Sequence, residues 1–289
     1  MLPDPRVPNF MTVDFEEWFH VNYPGIDTRS FASQPSDIAA QTDRLLSVFH
    51  NTGARCTFFV LGATALKYPD VIRKIHAAGH EIASHGYGHR SVREMDRSAF
   101  RADLVRASDI LESLIDTPVR GFRAPSFSLT ADILPWYYGT LEELGFAYSS
   151  SVFAGKTFLY GIPNFPYYIH TPSGEGWKTA VVEFPITRIR LGRTVLPLYL
   201  RMFPAWFLSA HIRRENAALR SATLYVHPRE VDPHQPRLPL TRLTRFIHYY
   251  GISGCERKLM DLLSRGRFTT MRDYVDQRFN VGTSPRAGN

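Results

Sequence analysis

Short apolar runs alternate along this chain with longer stretches whose apolar residues recur every three or four positions, the pattern of buried strands separated by amphipathic helices. "NFMTVDF" reads as a short buried strand, and "DIAAQTDRLLSVFHNTG" after it has helical spacing and stops at a glycine. "RCTFFVLG" is the next strand, "ATALKYPDVIRKIHAAG" a helix with a proline near its start, and "HEIASH" a strand that runs into two glycines. "SAFRADLVRASDILESLI" is an amphipathic helix, "VRGFRAP" a strand ending at a proline, and "YYGTLEELG" a helix followed by the strand "FAYSSSVF". "SATLYVHP" is a late strand. Repeated βα units predict an α/β fold with a parallel sheet, closed as a barrel or open, and with chemistry at the C-terminal strand ends.

Polar residues gather where those strands end. The first ends in Asp14, Glu16 and Glu17, the third in His85 with His89 just beyond, the fourth holds Arg123, and the late strand ends in His227. A His-x-x-x-His pair alone is more often structural than functional. The coincidence of polar groups at successive ends of apolar strands is what marks a site. Two neutral imidazoles and a carboxylate are a common ligand set for a catalytic divalent metal with an open position for water. Gly86 and Gly88 disfavour a helix between the two histidines and predict a turn that swings both rings toward one point.

Composition narrows the class. With 289 residues, 44% apolar and 13% aromatic, the chain can bury a large core, and no repeat, linker tract or like-charge block divides it, so one domain over 1–289 is expected. Cys56 and Cys255 lack metal-ligand spacing and read as buried thiols. The start, "MLPDPRVPNFMTVDFEEW", lacks the cationic and apolar regions of a signal peptide, which predicts a cytoplasmic protein. The most apolar segment, "TVLPLYLRMFPAWFLSA", is broken by Pro197, Arg201 and Pro204 and does not predict a spanning helix. A net charge of +7 raises nucleic-acid binding, but the basic residues form no recognition motif and no nucleic-acid partner is expected.

"TVDFE", "HEIASHGYGH", "FRAPSFS" and "LYVHP" stand in the order of the motifs of the polysaccharide deacetylases, carbohydrate esterase family four, which this chain resembles over about residues 8–230. The remainder, residues 231–280, resembles the C-terminal extension of a branch found in bacterial exopolysaccharide and exosortase-associated gene clusters. The resemblance implies a distorted (β/α) barrel with fewer than eight regular units, a divalent metal, generally zinc, and an N-acetylated glycan as substrate. By motif, Asp14 would be the general base, Glu16, His85 and His89 the metal ligands, and His227 the general acid. Arg123 would orient Asp14 and hold its charge through a bidentate pair. Residues i and i+2 of a strand share a face, so Asp14 and Glu16 would point into the site together and Glu17 away. Tyr87, Pro125, Phe127 and Tyr148 would contact substrate, and a backbone N–H near Tyr87 or Gly88 would complete an oxyanion hole. Two departures stand out: Asp-x-Glu replaces the paired aspartates of familiar members, and Ser149 follows Tyr148 where many relatives have an aspartate.

Amide hydrolysis needs a nucleophile at neutral pH, a stabilised oxyanion and a proton for the leaving amine, and the residues above match those needs. No Gly-x-Ser-x-Gly elbow offers a serine route. Alternatives are a same-fold hydrolase of a small cyclic amide and a catalytically weak carbohydrate-binding protein. The segment 153–220 is long for a βα connection and reads as a rim insertion or as helix packed on the barrel. Arg188, Arg190, Arg193, Arg201, Arg213, Arg214 and Arg220 gather in it and suit an anionic partner, a lipid-linked glycan or the inner face of a membrane, touched peripherally through 195–214.

Overall fold

The computed structural model describes residues 7–21, 26, 28–31, 33–34, 36–155, 161–188 and 196–279. Strand β1 (Phe10–Phe15) is followed by helix α1 (Ile38–Thr52), strand β2 (Thr57–Val60), helices α2 (Gly62–Lys67) and α3 (Pro69–Ala77), and strand β3 (Glu81–Ser84). Helix α4 (Arg97–Ile115), strand β4 (Gly121–Phe122), helix α5 (Leu134–Glu143) and strand β5 (Tyr148–Ser149) continue the alternation. A hairpin of β6 (Ser173–Gly174) and β7 (Trp177–Lys178) precedes strand β8 (Val182–Glu183), helices α6 (Leu196–Met202) and α7 (Ala205–Ala217), and strand β9 (Thr223–Val226). Helices α8 (Arg242–Tyr249), α9 (Cys255–Leu263) and α10 (Met271–Arg278) come last.

Seven of these strands form one parallel sheet in the order β8-β5-β4-β3-β2-β1-β9, curled into a distorted (β/α) barrel. Every residue of β1 and of β2 is buried, as central parallel strands covered on both faces must be, which explains why they are mostly apolar rather than alternating. The chain after β8 draws the two edges together: Thr187 N donates to Thr223 O at 3.0 Å, and Thr223 N to Thr187 Oγ1 at 2.8 Å. Helix α10 closes the end opposite the site, where Met271 N donates to Thr57 Oγ1 and Arg272 N to Glu81 Oε2 at the start of β2 and β3.

Two elements differ from the sequence expectation. The helix read from 63 to 79 is two helices, because Pro69 lacks the N–H that would continue α2 and instead starts α3. The segment 153–220 contains β8, an edge strand of the main sheet, as well as α6 and α7. In the 195–214 stretch, Leu198, Tyr199, Leu200, Leu208 and Ile212 are buried and Phe203 and Phe207 pack partly against the core. Only Met202 and Trp206 are exposed among its large described apolar side chains. Residue 195, Arg190 and Arg193 lie outside the described residues. Cys56 and Cys255 are buried and unbridged. Among the described residues, no helix is long and apolar enough to cross a membrane.

Candidate active site

Glu16 leaves the C-terminal end of β1, and His85 the end of β3, where its amide donates to Val60 O at 2.9 Å one residue beyond the strand. The chain then turns through Gly86 and His89, both left-handed with φ of 79° and 58°. Asp103 of α4 sets that turn. It accepts from Tyr87 N at 2.9 Å, and a Cβ on Gly86 would lie 2.7 Å from its Oδ2, so only glycine fits. One ligand atom each of Glu16, His85 and His89 thereby lies within 4.8 Å of the other two.

The donor chemistry of this cluster fits a cation. His85 Nδ1 is 2.8 Å from the Arg123 carbonyl, an acceptor only, so Nδ1 carries the proton and Nε2 offers a lone pair. That Nε2 faces Glu16 Oε2 at 3.8 Å, and His89 Nε2 faces the same oxygen at 2.8 Å. Burial pushes His85 down to about 4, which keeps it neutral. Burial alone would raise Glu16, but His89, His227 and Arg229 outweigh it and hold the carboxyl well below its ordinary value. A buried carboxylate beside a neutral nitrogen lone pair is stabilised by a shared positive ion.

Arg123, fully buried, connects the strands below the cluster. Its Nη1 reaches Asp14 Oδ1 at 2.6 Å and Thr12 Oγ1 at 2.7 Å, its Nη2 reaches Ser150 Oγ at 2.7 Å, and its Nε reaches Ser150 O at 2.9 Å. The bidentate clamp expected on Asp14 is therefore a single N–H contact. The other donors of the fork face Thr12 and Ser150, and the guanidinium centre lies 4.1 Å from the Phe59 ring centroid. Among the described residues, Asp14 Oδ2 has no hydrogen-bond donor.

His227 follows β9 and starts a short 3₁₀ turn, Pro228–Val231. The turn brings Glu230 back beneath it, so His227 Nδ1 lies 3.3 Å from Glu230 Oε1 and Nε2 lies 3.5 Å from Glu16 Oε1. Glu230 Oε2 is 2.8 Å from Arg201 Nε, and Arg201 also donates to the carbonyls of Ile247, His248 and Tyr250. Burial would raise Glu230, yet Arg201, then His227 and Arg229, bring it down to about 2. Arg229 Nη1 stands 3.3 Å from Glu16 Oε1. His20 stacks on His89 with centroids 5.5 Å apart and accepts from Glu17 N at 3.1 Å. Burial, then the charge on His89, lowers His20 to about 3.

The structure thus brings together Asp14, Glu16, His85, His89, Arg123 and His227. Glu17 points elsewhere, to Ser36, Lys67 and Tyr68. Pro125 and Phe127 are buried beside Arg123, with the Phe127 ring 5.4 Å from the guanidinium and 5.1 Å from Tyr225. Tyr87 packs its ring under Arg106 at 3.4 Å, and its N–H, one of the two expected near an oxyanion hole, is taken by Asp103, which leaves that of Gly88. Tyr148 stands apart from the rim: it is fully buried, and its hydroxyl donates to Glu81 Oε1 at 2.7 Å at the N-terminal end of β3. Gly121 leaves the space, since a Cβ there would lie 2.0 Å from the Tyr148 ring. Ser149 bonds to Tyr137 and Ser151; the carboxylate at His227 Nδ1 is Glu230. The sequence pattern does not single out Glu230, Arg229 or His20, and Arg201, expected to face an anionic partner, is instead buried on Glu230. An acid three residues after His227 in a proline-started turn was the available signal.

Residues 30–146 match the family model described as polysaccharide deacetylase, and residues 150–276 match a domain of unknown function, DUF3473. The two matches meet inside one continuous sheet, between β4 and β8. A peptidoglycan-N-acetylglucosamine deacetylase of Bacillus cereus is 26% identical over 95 residues, 33% of this chain and 34% of the relative, so the chain spans about a third of that relative's length. A solved probable polysaccharide deacetylase from Pseudomonas aeruginosa PAO1 superposes with TM-score 0.62 at 16% identity, over 94% of this chain and 90% of the other. Puue allantoinase superposes with TM-score 0.59 at 15% identity, over 96% and 91%. These superpositions speak for the fold alone.

Proposed function

We propose that this chain, whose residues 30–146 match the polysaccharide deacetylase model, is a metal-dependent hydrolase of carbohydrate esterase family four that removes N-acetyl groups from the amino sugars of an oligo- or polysaccharide. The cluster of Glu16, His85 and His89, with ligand atoms within 4.8 Å, is the observation that carries the reading. Two imidazoles and one carboxylate suit zinc. Such an ion, when bound, polarises an acyl carbonyl and makes water nucleophilic near neutral pH.

The chain's own residues divide the proton work. Asp14 takes the proton of the attacking water on the oxygen that Arg123 leaves free. His227 protonates the departing sugar nitrogen, and Glu230 holds its Nδ1 side so that Nε2 faces the site. Pro125 and Phe127 wall the site beside Arg123. The proposal treats 1–289 as one domain, a barrel over 8–230 with 231–280 packed on it. The enzyme would act in exopolysaccharide biosynthesis at the inner face of the membrane, on a lipid-linked glycan.

Acetate release from N-acetylated chitooligosaccharides and peptidoglycan fragments tests the reading. Release should stop on chelation, return with added zinc, and fall about 10²–10⁴-fold in Asp14→Asn while metal content stays stoichiometric. Acetate release that survives complete metal removal, or none from any N-acetylated glycan with metal bound, would overturn it.

A further inference from the structure

Helix α8 turns an apolar stripe outward. Leu243 and Phe246, at i and i+3, share one face, and Tyr250, which caps the helix, packs its ring against Phe246 with centroids 4.7 Å apart; the three are 69%, 45% and 46% exposed. The opposite side carries His248, buried and beside the carbonyls that Arg201 binds. Arg237, Arg242 and Arg245 border the stripe around an open depression of about 380 Å³ that Phe246, Tyr249 and Tyr250 also line. From Pro236 to Cys255 the chain contains no Asp or Glu. Arg237 stacks on Tyr249 at 4.3 Å and Arg245 donates to Leu240 O at 3.3 Å; among the described residues no carboxylate pairs with any of the three.

We infer that this face docks on a bilayer bearing anionic lipid headgroups. Protruding leucine and phenylalanine gain from entering the acyl boundary, and guanidinium groups with no described carboxylate partner gain from lipid phosphates. A glycan platform would instead present aromatic faces with polar partners, and Leu243 offers a sugar neither. The face sits on the rim of the candidate site. Leu238 and Leu240, just before α8, pack on Trp18 and Phe19, which follow Glu16 and Glu17. Arg201 ties the carbonyls of α8 to Glu230 under His227. Docking would hold the mouth of the site against the bilayer, within reach of a membrane-borne substrate. The surface is read independently of the site's chemistry, so binding and turnover fail separately.

Flotation of the full chain with phosphatidylglycerol/phosphatidylcholine vesicles, and with pure phosphatidylcholine, tests the inference. Wild type should float with the anionic vesicles at low salt and lose partitioning by on the order of a hundredfold on neutral ones, roughly fivefold per arginine. Leu243→Ser/Phe246→Ser and Arg242→Glu/Arg245→Glu should each abolish flotation with unchanged thermal melting, while Trp206→Ser should float like wild type. Three results overturn the inference: wild type remaining soluble at low salt, loss of flotation in Trp206→Ser alone, or variants that keep floating but lose binding to a soluble acidic polysaccharide such as alginate.

Discussion

Replacing Glu230 by glutamine removes one negative charge from a site sealed from water and leaves the side-chain shape. The carboxylate lies 2.8 Å from Arg201 Nε and 3.3 Å from His227 Nδ1. Its pKa falls from the ordinary 4.5 to about 2 against the opposing effect of burial, which corresponds to about 3 kcal/mol in favour of the ionised form. The folded value lies below the unfolded one, so this stability is present above about pH 4.5 and is lost as pH falls toward 2. The full amount is therefore at stake at neutral pH. Breaking one partner of a buried ion pair typically costs about 3–5 kcal/mol. Arg201 keeps the carbonyls of Ile247, His248 and Tyr250, which sets the expectation at the lower end, near 3 kcal/mol. Urea unfolding at pH 7 measures it. Acetate release measures the second effect, a kcat reduced by about 10² with KM little changed, because His227 loses the carboxylate that fixes its ring for proton transfer. Glu230→Asp keeps the charge and should recover part of both. A Glu230→Gln protein within about 0.5 kcal/mol of wild type, or one with wild-type kcat, would refute the assignment of Glu230 as the partner of His227.

Two further outcomes follow from the same geometry. His85→Ala and His89→Ala should each lose bound metal, read by elemental analysis, and remain folded by circular dichroism, since each removes one donor from the rim and leaves the core intact; stoichiometric metal in both would end the three-ligand assignment. His80, whose Nδ1 accepts from Cys56 N at 3.2 Å, is lowered from 6.5 to about 4 by burial and by Arg55. Its folded value lies below the unfolded one, so stability is full above pH 6.5 and declines as pH drops toward 4, where the unfolded chain takes up the proton first. His80→Asn keeps an acceptor without the titration, and its urea midpoint should fall less than that of wild type between about pH 6.5 and 4.5; parallel curves would show that His80 takes no part.

How far the sequence revealed this arrangement depended on how each feature is encoded. Long elements announce themselves by period: α1 and α4 carry three to five turns of apolar spacing, and β1 and β2 are continuous buried runs. Strand β8 spans Val182–Glu183 only, too short for any period, and was invisible inside a segment read as an insertion. Shortness also explains Tyr148. In a two-residue strand nothing in the pattern fixes which neighbour faces the rim, and the ring entered the space that Gly121 leaves at the far end of the barrel. Glu230 acts through a 3₁₀ turn rather than a strand face, so alternation says nothing about it.

The two apolar segments near the arginines show why pattern alone misjudges a surface. Around 195–214 the sequence offers many large apolar residues with arginines among them, and the fold spends most of them internally: Leu200, Leu208 and Ile212 cover β9, and Arg201 is consumed by Glu230 and four carbonyls, those of Pro197, Ile247, His248 and Tyr250. Helix α8 has the reverse assignment. Its stripe at 243, 246 and 250 has the spacing that ordinarily marks a core-facing helix, yet the inward side is claimed by His248, whose carbonyl completes the shell of Arg201. One buried arginine therefore decides both outcomes. By drawing the backbone of α8 toward Glu230 and the catalytic rim, Arg201 fixes which side of that helix is buried, and Leu243, Phe246 and Tyr250 are left facing out among arginines that no described carboxylate pairs.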